Sequence, residues 1–520
     1  MEVDRSLYET YLEEMQGLER FRHRYGNRYP DIPLESDDPD TRRLMEAMAL
    51  FSARTRSLTE EKTRLFHFRM LARLFGEFIQ PLPASIQVAF QATGLAEQMR
   101  LPAGTRLGVS DGEGDLTLFR TEHPVVLHPM AVRETLLSKN QRRLDLTFDL
   151  SYPHTGPLKI PLTLHTQGDL ITAAALYRQL AGCTGTATPD SGESLPVTVE
   201  TETIDTGEHP ILALRDFFHD PASHLRVILC LPEIPQGCRR LAFALYSSIP
   251  WPDLCEEEGT FMPMTARAKN RITAHAAPIL HDGTRQRHPL RAPDPLNGSV
   301  PLAVNGVYTD SSEGLVPLQP EYMDGGGQGY ALDLFPKADG LEVSLRLALP
   351  EAFHRPVTVV AEADWYRPDF RRIAWKQLAL FLYDHEVPGV TPILCGPPSL
   401  QRVPDAAAAA ERLPELAAWK HAQWMHPEEI NELMERWMGA WSGPFRDLKP
   451  IVGRLSLDGS GAVPCCEVAY TAPLGRLAPL ATLFEEGFVK TLDAWIMRPG
   501  LKLRRLTPGS MERDGDHDAA

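Results

Sequence analysis

The chain has 520 residues, 43% hydrophobic and 23% charged, an ordinary globular mixture that excludes a wholly disordered protein. At about 150 residues per domain, that length predicts three or four domains. No apolar run approaches the ~20 residues that cross a bilayer, and a net charge of −16 argues against nucleic acid as the main ligand.

The start, Met1-Glu2-Val3-Asp4-Arg5, is acidic and lacks an apolar stretch, so no secretory leader is expected. The 7 cysteines are odd in number and sparse, unlike a disulfide framework, and predict a reducing, cytoplasmic setting. Cys465 and Cys466, adjacent in a strand, would point to opposite faces as two unrelated buried side chains.

A helical head comes first. Tyr8, Tyr11, Leu12, Met15, Leu18, Phe21 and Tyr25 recur at helical spacing, and Gly26 and Pro30 are expected to end that helix. Asp38-Pro39-Asp40 reads as the next helix start, an acidic cap with proline at the first helical position. That helix places Leu44, Met48, Phe51, Thr55 and Leu58 along one coiled-coil-like line. A third helix is expected after Thr59-Glu60-Glu61, carrying Leu65, Phe66, Phe68, Leu71, Leu74, Phe75 and Phe78. Its apolar residues cover more than one face, so it must bury more than one side. The line from Leu44 to Leu58 could pack on that third helix or join an intermolecular bundle; both readings stand.

From Pro83 the pattern becomes alternating, as in Ser85–Phe90, Leu144–Leu150 and Leu341–Leu347. Turns punctuate it at Pro102-Ala103-Gly104, Asp111–Gly114 and Asp282-Gly283. One helix, around Leu170–Leu180, interrupts this antiparallel grammar of sandwiches or barrels. The tail begins with a strand at Thr358–Ala361 and then turns helical. A helix from Pro427 aligns Ile430, Leu433, Met434, Trp437, Met438 and Trp441, a stripe that serves either a core or a protein interface. Another helix carries Leu480, Phe484, Phe488, Leu492 and Trp495. The fold class is therefore α+β: a helical head over residues 1–80, a β-rich middle over 81–355 in two subdomains, a mixed part over 356–506, and a disordered end over 507–520.

Chemistry is hard to find. Asp324–Gly329 lacks the Lys-Ser/Thr and strand-to-helix setting of a phosphate cradle and reads as a loop. Asp111, Glu113, Asp115 and Glu122 mimic a calcium loop, but Leu116 stands where the sharp turn needs glycine. His281 with His288 and His421 with His426 have no helical ligand spacing and read as surface histidines. Asp458-Gly459-Ser460-Gly461 is a hairpin turn rather than a nucleophile elbow. No catalytic, cofactor-binding or metal-binding residues are assigned.

Asp38–Arg54, DPDTRRLMEAMALFSAR, resembles the D-P-x-x-x-R-L-x-E-A-x-A-x-x-x-A-R signature of the TssF (VasA/ImpG) family of type VI secretion baseplate subunits. Ahead of it lie Tyr11–Glu14 and Tyr29-Pro30, and behind it come Pro81–Ser85, Pro102–Thr105 and Phe119-Arg120-Thr121 in the family's order. Leu164-His165 with Gly168-Asp169, Leu214–Phe218 (LRDFF) and Val304–Tyr308 continue the series. Beyond about residue 310 the resemblance thins, and the family's His-Leu-Ser-Leu-Asn stretch is absent.

The resemblance implies a wedge protein like those of contractile phage tails, without catalysis or cofactor. It further implies two copies of this chain with one TssG-like subunit, recruitment of a TssK-like subunit, and assembly around a VgrG-like spike hub. TssE and the sheath would be candidate contacts, at the cytoplasmic face of the bacterial inner membrane. Leu44, Met48, Phe51, Leu58, Trp437 and Trp441 are the candidate interface residues. A wedge or adaptor of another contractile or phage-tail-like particle is the alternative, and a β-sandwich enzyme a third reading.

Overall fold

A computed structural model of the chain describes residues 5–28, 39–110, 116–166, 168–190, 192–202, 209–293, 296, 298–311, 314–321, 323, 329–337, 340–370, 377–384, 386–458, 464–496 and 500–506. The expected turns at Asp111–Gly114 and Gly459–Gly461, most of the Asp324–Gly329 loop, and the end after residue 506 lie outside these residues. In chain order the α-helices are α1 (Arg5–Arg28), α2 (Pro39–Leu74), α3 (Gly76–Ile79), α4 (Leu170–Ala181), α5 (Pro210–His219), α6 (Ala406–Glu411), α7 (Leu413–Lys420), α8 (Pro427–Glu432) and α9 (Ala478–Trp495). The chain divides into two compact units, Met1–Gly76 with Asp405–Pro414, and Glu77–Pro404 with Glu415–Ala520.

The first unit is helical. α1 continues through Gly26 to Arg28. α2 is one helix of 36 residues, where two were expected. No glycine or proline interrupts it, and Thr59 bonds back to the Thr55 carbonyl at 2.8 Å while Arg56 pairs with Glu60 at 3.0 Å. Local acidity at Thr59–Glu61 therefore marks an exposed helical face and not a new start. α1 lies along the stripe of α2 that carries Met45, Ser52 and Arg56, with Ser52 donating to Glu14 at 2.9 Å and Arg56 pairing with Glu13 and Glu14. Ala49 and Ala53 on that stripe are fully buried, small enough for close helix approach.

The second unit begins with two facing antiparallel sheets. The first has the order Ala379–Leu382, Arg106–Ser110, Leu116–Thr121, Thr265–Lys269, Ser85–Gln91, Thr391–Leu394. The second is built on two long paired strands, Arg143–Leu164 and Arg226–Tyr246. Their alternating residues, among them Ile86, Val88, Phe119, Leu146, Phe148, Leu229 and Phe243, form one continuous core, which Leu176 and Leu180 of α4 close. Asp169 caps α4 by accepting from the amides of Ile171 and Thr172 at 3.0 and 3.3 Å.

Asn270 carries the chain into a second sandwich, exchanging hydrogen bonds with the backbone of Arg367. One of its sheets pairs Ile272–His275 and Ile279–His281 with Val357–Tyr366, then Val300–Ser311 and Gly314–Pro317. The other orders Arg287–Pro289, Gly340–Ala348 and Gly329–Lys337. Their shared core includes Ile272, Val307, Leu345, Val359 and Trp365. The strand expected to open the tail is thus a central strand of this sandwich, and Ala379–Leu382 and Thr391–Leu394 return to the first sheet. Register over such separations depends on cross-strand packing that no local pattern encodes.

The last part joins helices to a four-stranded sheet whose closing pair, Cys465–Tyr470 with Lys502–Leu506, is parallel. Cys466 is buried and Cys465 partly exposed, on opposite faces as their adjacency predicts. The stripe from Pro427 is not one helix: α8 gives way to a π-helical turn, Leu433–Met438, and Gly439 at φ +71° ends it. Buried Glu485 on α9 accepts from Tyr470 Oη at 2.9 Å and Arg505 Nε at 2.8 Å, fastening the final strand.

Gly487 lies in α9 where an added Cβ would sit 2.6 Å from the Phe217 ring, whereas Gly17 in α1 has open space. Glycine to alanine in a helix normally stabilises by about 1 kcal/mol. Gly17→Ala should follow that rule, while Gly487→Ala should destabilise by roughly 1–3 kcal/mol through overpacking. Thermal unfolding of both variants checks the opposite signs.

Candidate protein interface and a buried ion network

The candidate interface residues fall in two different environments. On α2, Leu44, Met48, Phe51 and Leu58 are exposed by 63%, 55%, 74% and 48%. Because α2 is continuous, the line cannot pack on a separate third helix. It borders an open groove of about 690 Å³ lined by Ala47, Met48, Phe51 and Thr55, with Arg56 and Glu60 at one end. Tyr8, Leu12, Phe21 and Tyr25 of α1 are also exposed. Four large apolar side chains in helical register would each gain about 1.5–3 kcal/mol on full burial.

Trp437 and Trp441 are only 4% and 5% exposed. Trp437 packs edge-on against Phe78, and Trp441 stacks on Phe484. Both serve the core of their own unit. The spacing of the stripe could not separate core from interface, since both need large apolar groups.

Two motif residues, Ser85 and Asp216, join a buried ion network. Arg267, on the strand Thr265–Lys269, grips both carboxylate oxygens of Asp216 on α5, one at 2.9 Å. Its guanidinium also reaches Ser85 Oγ at 3.3 Å, Glu122 at 3.4 Å and Asp220 at 3.6 Å. Lys269 lies 3.0 Å from Asp216 and bonds Glu122. Burial alone would raise the Asp216 carboxyl, but Arg267 and Lys269 hold it well below the ordinary range, and Glu122 is lowered by the same pair of cations. Next along α5, Arg215 points elsewhere and donates to the carbonyls of Gln80, at 2.9 Å, and Glu77. Phe217 and Phe218 turn the remaining face into an aromatic cluster with Phe445 and Phe484.

Other motifs bond one another. Gly104 donates to the Thr121 carbonyl at 2.8 Å, and Thr105 to Thr121 Oγ1 at 3.0 Å. Asn305 donates to Asp364 at 3.2 Å, beside the Arg271–Asp364 ion pair. Arg267 and Lys269 escaped the sequence reading; a charged pair two apart on an otherwise buried strand was the available signal. A cavity of about 890 Å³ opens over the network, bordered by Pro81, His123, His209 and Arg226.

The arrangement offers little to catalysis. The carboxylates of the network are engaged by Arg267 and Lys269 rather than poised as bases. Burial pushes the thiols of Cys255, Cys395 and Cys466 up to about 12 and that of Cys183 to about 11, far from a reactive thiolate. Among the described residues no group of three or more His, Cys, Asp or Glu is placed to hold a metal, and no helix is long and apolar enough to cross a membrane. His421 and His426 are exposed. His281 and His288 are not surface residues: the Asp282–Gln286 turn folds them together, His281 buried and His288 half-buried.

Because Asp216 and Glu122 are held low in the folded state, their contribution to stability is present above the ordinary carboxylate range. It is lost as pH falls through their lowered values. Asp216→Asn should remove the Asp216 share of that acid-side dependence and cost roughly 3–5 kcal/mol by leaving Arg267 under-compensated. Urea unfolding of both proteins between pH 7 and pH 3 measures it.

Residues 3–206 match the family model described as Type VI secretion system, TssF. A search of the curated proteins returns no match. Among solved structures, a chain of the type VI secretion system TssK-TssF-TssG baseplate subcomplex, determined by cryo-electron microscopy, aligns with TM-score 0.71 at 15% identity. That alignment covers 90% of this chain and 97% of the other. A chain of the baseplate complex from the type VI secretion system aligns with TM-score 0.59 at 14% identity, covering 96% and 97%. The motif resemblance up to residue 206 thus coincides with the TssF model match, and the chain shares the fold of those two type VI baseplate chains.

Proposed function

We propose that this protein is a structural subunit of a type VI secretion baseplate wedge. It assembles with TssG-like and TssK-like subunits around a VgrG-like spike hub and supports sheath and tube assembly. The observation that carries the reading is the exposed apolar line of α2, within the TssF-matched segment of a chain with a baseplate fold. A helix with Leu44, Met48, Phe51 and Leu58 in solvent calls for a partner surface. The finer elements belong to the same proposal: two copies per TssG-like subunit, contacts with TssE and the sheath, a cytoplasmic position at the inner membrane, and no catalytic turnover.

Phe51→Asp tests the assignment of the surface. At 74% exposure the side chain can be exchanged without disturbing the chain's own core, so circular dichroism and monomer mass should not change. Co-purification of a co-expressed TssG-like subunit should fall about tenfold or more, because assembly would bury an unpaired carboxylate. Undiminished co-purification would remove α2 from the interface.

A further inference from the structure

The second sandwich contains a histidine pair that the assembly role does not use. His281 ends the strand Ile279–His281, which pairs with Val357–Tyr366 in one sheet; His288 sits mid-strand opposite Leu345 in the other. Their rings meet edge to face, with His281 Nδ1 and His288 Nε2 3.0 Å apart. His288 Nε2 is also 3.0 Å from the carbonyl oxygen of Arg285. A carbonyl only accepts, so His288 carries a proton on Nε2 and donates to both. His281 Nδ1 is then the acceptor, and neutral His281 holds its proton on Nε2.

We propose that His281 and His288 form an acid-opened clasp that ties the two sheets of this sandwich together at the Asp282–Gln286 turn. A proton taken up on His281 Nδ1 sets two N–H groups face to face at a 3.0 Å separation, which breaks the bond.

The surroundings favour a neutral His281. The side chain is 2% exposed. Burial lowers its pKa, His288 lowers it further, and Asp282 opposes them. Val357 and Thr358 face the His281 strand and Leu345 faces His288, none of them charged. Nearby Arg287 pairs with Asp333, and Arg346 with Glu321. Glu351 and His354 flank Phe353, whose ring packs on Gly283, and neither acts on His281. A lowered folded-state value means that the clasp's stability is complete above the ordinary imidazole pKa of about 6.5. It is lost as pH falls through the lower value of His281. Opening frees the turn beside the exposed Leu280 and Phe353.

Hydrogen exchange by mass spectrometry on the full chain, corrected for intrinsic rates between pH 7.5 and pH 5, tests the clasp. Residues 279–289 should lose protection reversibly, by up to about tenfold per pH unit, as the uptake of one proton requires. Strands of the first sandwich should keep theirs. His288→Asn, which can still hydrogen-bond but cannot charge, should hold its protection across the range. Asp282→Asn, at an exposed site, should move the opening to lower pH by removing the carboxylate that favours protonation. Flat protection in the unaltered chain, equal loss in His288→Asn, or an unmoved opening in Asp282→Asn would each overturn the clasp.

Discussion

The grip of Arg267 on Asp216 is the constraint around which the second unit is organised. It pins α5 to the central strands of the first sheet, in surroundings where neither charge would survive alone. From that anchor, Arg215 reaches the chain at Glu77–Gln80, and Phe217 and Phe218 reach the C-terminal aromatic cluster. A helix of 10 residues thus links the segment entering the unit, the sandwich core and the last helices. Such a network contributes little net stability over an apolar core. What it does supply is a single solution for where α5 sits, because every displaced arrangement strands a buried charge.

Much of this was legible from local pattern. The strands at Ser85, Leu144 and Leu341 and the helices at Leu170 and Leu480 follow from alternation and helical spacing, signals that burial enforces directly. The errors have physical sources. Thr59-Glu60-Glu61 looks like a helix start, yet side-chain bonding one turn apart lets α2 run through it. Trp437 sits on the π-turn and Trp441 on the 3-10 turn after Gly439, both packed in the core, and large apolar groups carry the same pattern whether they face a core or a partner. His281 and His288 seemed solvent-facing because a turn, not a helix, brings them together. The long-range returns of Ala379–Leu382 and Thr391–Leu394 were invisible because sheet register over hundreds of residues is a tertiary property.

The motifs that carry the resemblance to the TssF family prove to be devices of folding. Ser85 and Asp216 meet in one network through Arg267, Gly104 and Thr105 tie to Thr121, and Asp169 caps a helix. The residues proposed for assembly lie elsewhere, on the exposed apolar line of α2. This separation fits a structural subunit, whose interior must hold one shape while its partners are chosen by surface helices.

The most direct test of the wedge account is the mass of the native complex. The chain, tagged at its C-terminus and purified gently from its own cells, would be weighed by native mass spectrometry. The account predicts a particle containing TssG-like and TssK-like chains, with two copies of this protein for each TssG-like subunit. A stable lone monomer of 58.0 kDa without such partners would contradict it.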